Sequence, residues 1–216
     1  MSALCRYQLA DLLRSQRWVA PLLVYTAFLA AVYSSDAGPA VPAYGATAGA
    51  LVPVVAWLTR GVLSVEDDAA RHVTAAAAGG LLRVQVALLA SAIAAALPLV
   101  GLAVLWAAVA NADQMHGWRP RVGGLAIHLV FALLGVGLGA LVSRPLIRAP
   151  GAAALAVVAA VVIGLVLRWS PVFSLLRVLQ ANPRHGFTAA VSPSAAGVVG
   201  LAAVGCAVSL AATRRS

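Results

Sequence analysis

The sequence predicts an all-α, polytopic membrane protein, and three observations carry that prediction. Six long apolar stretches run through the 216 residues, at about 19–34, 41–58, 82–109, 122–142, 152–167 and 195–212. Each is near or above the roughly 17–25 residues that an α-helix needs to cross about 30 Å of hydrocarbon. Only 10% of the residues are charged and 62% are hydrophobic, whereas a soluble domain is roughly 25% charged. The arginines, which stand in for lysine throughout, fall between the stretches or at their edges. Lipid tolerates no unpaired backbone polar groups, so spans of this kind must be helices. A single transmembrane domain therefore fills residues 1–216.

Taken in order, the first element is the segment 4–17, "CRYQLADLLRSQR" with Leu4 before it. Cys5, Leu9, Leu12, Leu13 and Gln16 share one helical face, and Arg6, Arg14 and Arg17 lie elsewhere. That pattern predicts an amphipathic helix in the inner headgroup layer, with Trp18 marking the entry into hydrocarbon. The first span, 19–34, reads as a retained signal anchor; the small residues around Ala37–Ala40 offer cleavage as the alternative. Span two contains Pro53 and span three Pro98, each a place for a local kink.

Between them lies 64–80, which holds Glu66, Asp67 and Asp68, half of the six acidic residues. Ser64 and Asp67 have capping-box spacing, Asp68 can pair with Arg71 or His72, and Gly79-Gly80 supplies a stop. A short charged helix close to the bilayer follows. Spans four, five and six complete the set. The stretch 169–194, between spans five and six, has an apolar run from Val172 to Leu179 that is too short to cross. It predicts an outer interfacial or re-entrant helix between Pro171 and Pro183.

Arginine placement orients the chain. With the N-terminus inside, Arg6, Arg14, Arg17, Arg60, Arg71, Arg83, Arg144, Arg148, Arg214 and Arg215 are cytoplasmic. Arg119, Arg121, Arg168, Arg177 and Arg184 are then outside, so both termini are expected in the cytoplasm. The net charge of +9 is assigned to topology and lipid headgroups rather than to nucleic acid. Alanine-rich, arginine-only usage points to a bacterial cell membrane.

The catalytic inventory is thin. The spans contain no acidic residue, and no phosphate-binding G-x-x-x-x-G-K-[ST] loop is present. His72, His116, His128 and His185 are scattered without metal-ligand spacing, so neither a metal nor another cofactor is expected on this chain. His128, well inside span four, is the candidate intramembrane polar site, with a hydrogen bond to a neighbouring helix as its expected role. Gln85, Ser91, Thr26 and Thr47 are read as interhelical hydrogen-bonding residues. Gly45/Gly49, Gly135/Gly139 and Gly197, Gly200 and Gly205 have the small-residue spacing that lets helices approach, within one chain or between two.

The order of these features resembles the ABC-2 type transporter permeases, the membrane-spanning subunits of bacterial ABC exporters. The closest resemblance is "VEDDAARHVTAAAAGGLLRVQVALLASA", Val65–Ala92, which looks like that family's acidic turn, coupling helix and basic entry into the third span. The resemblance implies that Glu66, Asp67, Asp68, Arg71 and His72 contact a separate ATP-binding cassette subunit. It implies that Arg14 and Arg17, on a connecting helix, contact the same subunit. It further implies that ATP and Mg reside on that partner, that a second permease copy completes the pathway, and that transport is outward; the lack of charge within the spans fits amphipathic or lipid-like cargo rather than ions. No enzymatic activity is expected of the chain itself. Two other readings compete: a non-transporting membrane scaffold or regulator, and a membrane-surface enzyme that would require two or more of Asp113, His116, His128 and His185 to converge near the outer face.

Overall fold

Apolar sequence becomes helix along nearly the whole chain. The computed structural model describes residues 2–34, 40–112, 118–144, 146–147, 149–181 and 192–215. Within them the helices are α1 (Ser2–Arg14), α2 (Val19–Ser34), α3 (Ala40–Leu63), α4 (Asp68–Ala78) and α5 (Leu81–Ala110). They continue with α6 (Arg119–Leu141), α7 (Pro150–Val166), α8 (Pro171–Ala181) and α9 (Pro193–Arg215). Proline opens or nearly opens the last four, at Pro120, Pro150, Pro171 and Pro193, where its missing N–H costs nothing and its fixed φ suits the first turn. Pro53 and Pro98 sit inside α3 and α5, and both helices run on through them.

Among the described residues four helices are long and apolar enough to cross a membrane: α3, α5, α6 and α9. The 16 residues of α2 and 17 of α7 span only about 24–26 Å at 1.5 Å per residue. These two reach the length and composition of a span together with their neighbours, α1 with α2 across a 73° bend and α7 with α8 across a 58° bend. Four to six membrane-crossing helices therefore fit the chain.

The centre of the bundle is α6. Its Gly135 and Gly139 face α3, where an added Cβ would lie 2.8 Å from the Val52 carbonyl oxygen and 2.7 Å from that of Ala56. Gly137 faces α9, and there the added atom would lie 2.7 Å from Ala202 backbone. The spacing at Gly135 and Gly139 is thus used within the chain; a Cβ added at Gly49 or Gly200 would meet no atom of another element within 4 Å. A large buried cluster joins α2, α3, α5 and α6 through Tyr25, Leu29, Leu51, Val55, Leu88, Leu99 and Val136. A second joins α3, α6, α8 and α9 through Val52, Phe131, Leu175, Leu179 and Val198. The apolar run of α8 is therefore packed on the bundle, and 182–191 lies outside the described residues. The outward faces of α2 and α7, including Leu23, Leu155, Val162 and Val166, are exposed. Burial inside the protein does not account for those side chains, whereas acyl chains would.

Two boundaries differ from the sequence reading. The first helix stops at Arg14 because Gln16 adopts a left-handed φ of 55° in the turn that redirects the chain into α2. Its packed face holds Gln8 and Leu12, while Leu13 and Gln16 are exposed. Gln8 is buried with its Oε1 accepting a 3.0 Å bond from Ser91 of α5, while its Nε2 has no hydrogen bond among the described residues. The charged helix begins at Asp68, later than the capping box at Ser64 implied. Ser64 remains on the end of α3, its hydroxyl donating to the Arg60 carbonyl at 2.7 Å.

Candidate functional site

The acidic turn and the N-terminal helix come together on one face. Asp67 is the N-cap of α4, its carboxylate accepting from the Ala70 amide at 2.7 Å. The other end closes on Gly79, at φ +83°, and the Gly80 amide donates to the Ala75 carbonyl at 2.8 Å. Only glycine adopts that left-handed turn without strain. Ala75 is the buried contact of α4 against α5, whereas Asp67, His72 and Val73 are exposed. The Asp68 side chain lies outside the described atoms.

Glu66 accepts from the Thr74 hydroxyl at 2.9 Å, and its second carboxylate oxygen is buried. Tyr7 of α1 stands beside it. The Glu66 charge, then burial, raises the Tyr7 phenol above its ordinary pKa and keeps it a proton donor. Between the two helices runs a groove of about 560 Å³, lined by Leu4 and Tyr7 from α1, Thr74 and Ala77 from α4, and Arg83. Arg17, in the turn after α1, donates to the Ser64 carbonyl at 2.6 Å. Arg14 is exposed in the last turn of α1.

Arg71 points the other way, into the bundle. Its guanidinium donates to Gln85 Oε1 on α5, and Gln85 Nε2 donates to the Ser209 hydroxyl of α9 at 2.9 Å. Gln85 and Ser209 are fully buried, so this polar chain ties the surface helix α4 to two of the long apolar helices. Of the residues proposed from sequence, Glu66 meets α1, Arg17 meets the end of α3, and Arg71 is turned inward from the exposed face. Tyr7, Thr74 and Gln85 complete the arrangement. Gln85 was legible as an interhelical residue; nothing in the sequence paired Tyr7 with a carboxylate 59 positions away.

His128 occupies a different place. It is fully buried, with Nδ1 2.7 Å from the Gly124 carbonyl and Nε2 3.0 Å from the Thr47 hydroxyl of α3. A carbonyl can only accept, so a neutral ring carries its proton on Nδ1 and leaves Nε2 as an acceptor facing the Thr47 hydroxyl, whose one proton is shared between Nε2 and the Ala43 carbonyl of its own helix at 3.0 Å. Tyr44 packs edge-on at 5.7 Å, passing over Gly124, where a Cβ would lie 2.6 Å from its ring. Ser91 and Gln85 also bond across helices, but Thr26 bonds back to Leu22 of its own helix. Asp113, His116 and His185 lie outside the described residues. Among the described residues no group of three metal-ligating side chains gathers.

Fold and geometry define the class: an all-helical protein with several helices apolar enough to cross a bilayer, bearing a polar helix pair at one end. Comparison with protein-family models, with curated proteins and with solved structures finds no match.

Proposed function

We propose that the chain is the permease subunit of an ATP-driven exporter, with six spans and both termini cytoplasmic in a bacterial cell membrane. Hydrolysis belongs to a separate ATP-binding cassette subunit, which carries the ATP and Mg, and a second permease copy completes the pathway. The observation that carries this reading is the Arg71–Gln85–Ser209 chain. It gives the exposed helix α4 and the acidic turn before it a direct polar link into α5 and α9, so a force applied at Glu66, Asp67 and His72 reaches membrane-crossing helices. The approach of α1 to Glu66 offers the same partner a second contact beside the first. An apolar cleft of about 550 Å³ between α6, α7 and α9, lined by side chains such as Phe131, Leu138, Val161 and Val204, supports amphipathic or lipid-like cargo.

The test is purification of the tagged chain from its host in gentle detergent, with mass spectrometry of what accompanies it. Stoichiometric recovery of a P-loop ATPase is the expected result. Recovery of the chain alone, under conditions that keep a reference transporter complex intact, overturns the proposal and favours a scaffold or regulator.

A further inference from the structure

Three arginines from separate elements converge where α2, α3, α6 and α7 meet. Arg17 from the α1–α2 turn, Arg60 from the last turn of α3 and Arg144 just beyond α6 line one cleft of about 520 Å³, with Trp57 and Ser143. Among the described residues lining it, none is acidic. Arg17 is positioned by the Ser64 carbonyl, and Arg60 by the carbonyls of Val142 and, at 3.2 Å, Ile147. These bonds fix where the Arg17 and Arg60 guanidinium groups stand. Pro150, the first residue of α7, also forms part of the wall, which adds the positive end of a helix dipole.

The cleft opens into an apolar groove. Trp57, Arg60 and Pro150 belong to both, and the groove of about 390 Å³ continues between α3 and α7 past Pro53, Ala154, Val157 and Val158. Trp57 is half exposed at the junction, the position an indole prefers between headgroups and hydrocarbon. Guanidinium groups match phosphate oxygens in charge and in geometry. The aliphatic groove matches an acyl chain, and the two are joined in the order a lipid requires.

We infer that cleft and groove together bind an anionic glycerophospholipid, its phosphate among Arg17, Arg60 and Arg144 and an acyl chain along Trp57 and Val158. This rests on the membrane-spanning reading and not on ATP-driven export. Free phosphate shares the headgroup chemistry but has no use for the groove, so the two sources separate by experiment.

The delipidated full chain in detergent is titrated, by native mass spectrometry, with dioleoylphosphatidylglycerol, dioleoylphosphatidylcholine and inorganic phosphate. Phosphatidylglycerol is expected to bind about tenfold better than phosphatidylcholine. The double variant R17Q/R144Q, which retains the Arg60–carbonyl bonds, is expected to lose about tenfold of that binding. Ala154 is exposed on the groove wall, so Ala154→Trp fills the groove, weakening the lipid and sparing phosphate. Circular dichroism checks that both variants fold. Equal binding of the two lipids, or indifference to R17Q/R144Q, overturns the site. Strong phosphate binding with no effect of Ala154→Trp on the lipid overturns the lipid assignment. Release of the chain from membranes by alkaline carbonate overturns the membrane reading itself, and the site with it.

Discussion

His128 shows how a polar side chain is accommodated in an apolar interior. Both ring nitrogens have partners, Gly124 within its own helix and Thr47 on α3, and Tyr44 covers an edge. The residue therefore reads as a tie between α3 and α6. His128→Ala is expected to cost about 2–3 kcal/mol from the lost ring volume and hydrogen bonds, measured by thermal unfolding in detergent, while leaving transport largely intact. Abolished transport with an unchanged unfolding curve would reassign it to function. At the same scale, Gly137→Ala places a methyl 2.7 Å from Ala202 backbone, and such overpacking is expected to destabilise by about 1–3 kcal/mol. Gly49→Ala, with open space around it, is expected to change stability by less than about 0.5 kcal/mol. Equal losses at the two positions would argue against the α6–α9 approach described here.

At the scale of elements, α4 is the piece whose stability is set locally. It is short, its one buried hydrophobic contact is Ala75, and its two ends are closed by Asp67 and Gly79. Asp67→Ala removes the cap and is expected to cost about 1 kcal/mol. Amide exchange in α4 should then quicken roughly fivefold, with α5 and α6 unaffected. Uniform protection before and after the change would mean that packing, not capping, holds the helix. Charge reversal at Glu66 and Asp67 together bears on the proposed partner instead. It is expected to reduce co-purification of the ATPase at least tenfold with the bundle still folded; undiminished co-purification would count against docking there.

For the whole molecule, the distribution of arginine makes the remaining prediction. A phosphatase reporter fused after Ser216 is expected to be inactive in cells and one inserted after Asp36 active, as cytoplasmic termini and an outer first loop require. Opposite activities would invert the orientation and move the three-arginine cleft to the outer face. The inner face suits that cleft better, because the cytoplasmic leaflet carries the anionic lipid.

Helix was readable throughout because apolar length alone demands it. Residues 41–58, 82–109, 122–142 and 195–212 fall inside α3, α5, α6 and α9, give or take a residue at α6. The Gly79-Gly80 stop was equally plain, since a left-handed turn depends on nothing beyond its own backbone. Capping at Asp67 rather than Ser64 was not, because two side chains with the same acceptor chemistry stood three residues apart, and the end of α3 claimed the first. Composition and periodicity act through neighbours along the chain, and those determined the class, the helices and the charged turn. Which helices touch is another matter. Gly137 against Ala202, Tyr7 beside Glu66, Gln85 between Arg71 and Ser209, and the meeting of Arg17, Arg60 and Arg144 all join residues far apart in sequence. Pairings of that kind follow from how near-uniform apolar surfaces interlock, and many alternatives share the same hydrophobic gain. The tertiary structure decided them, through close backbone approach at glycine and through buried polar groups that accept only a matching partner.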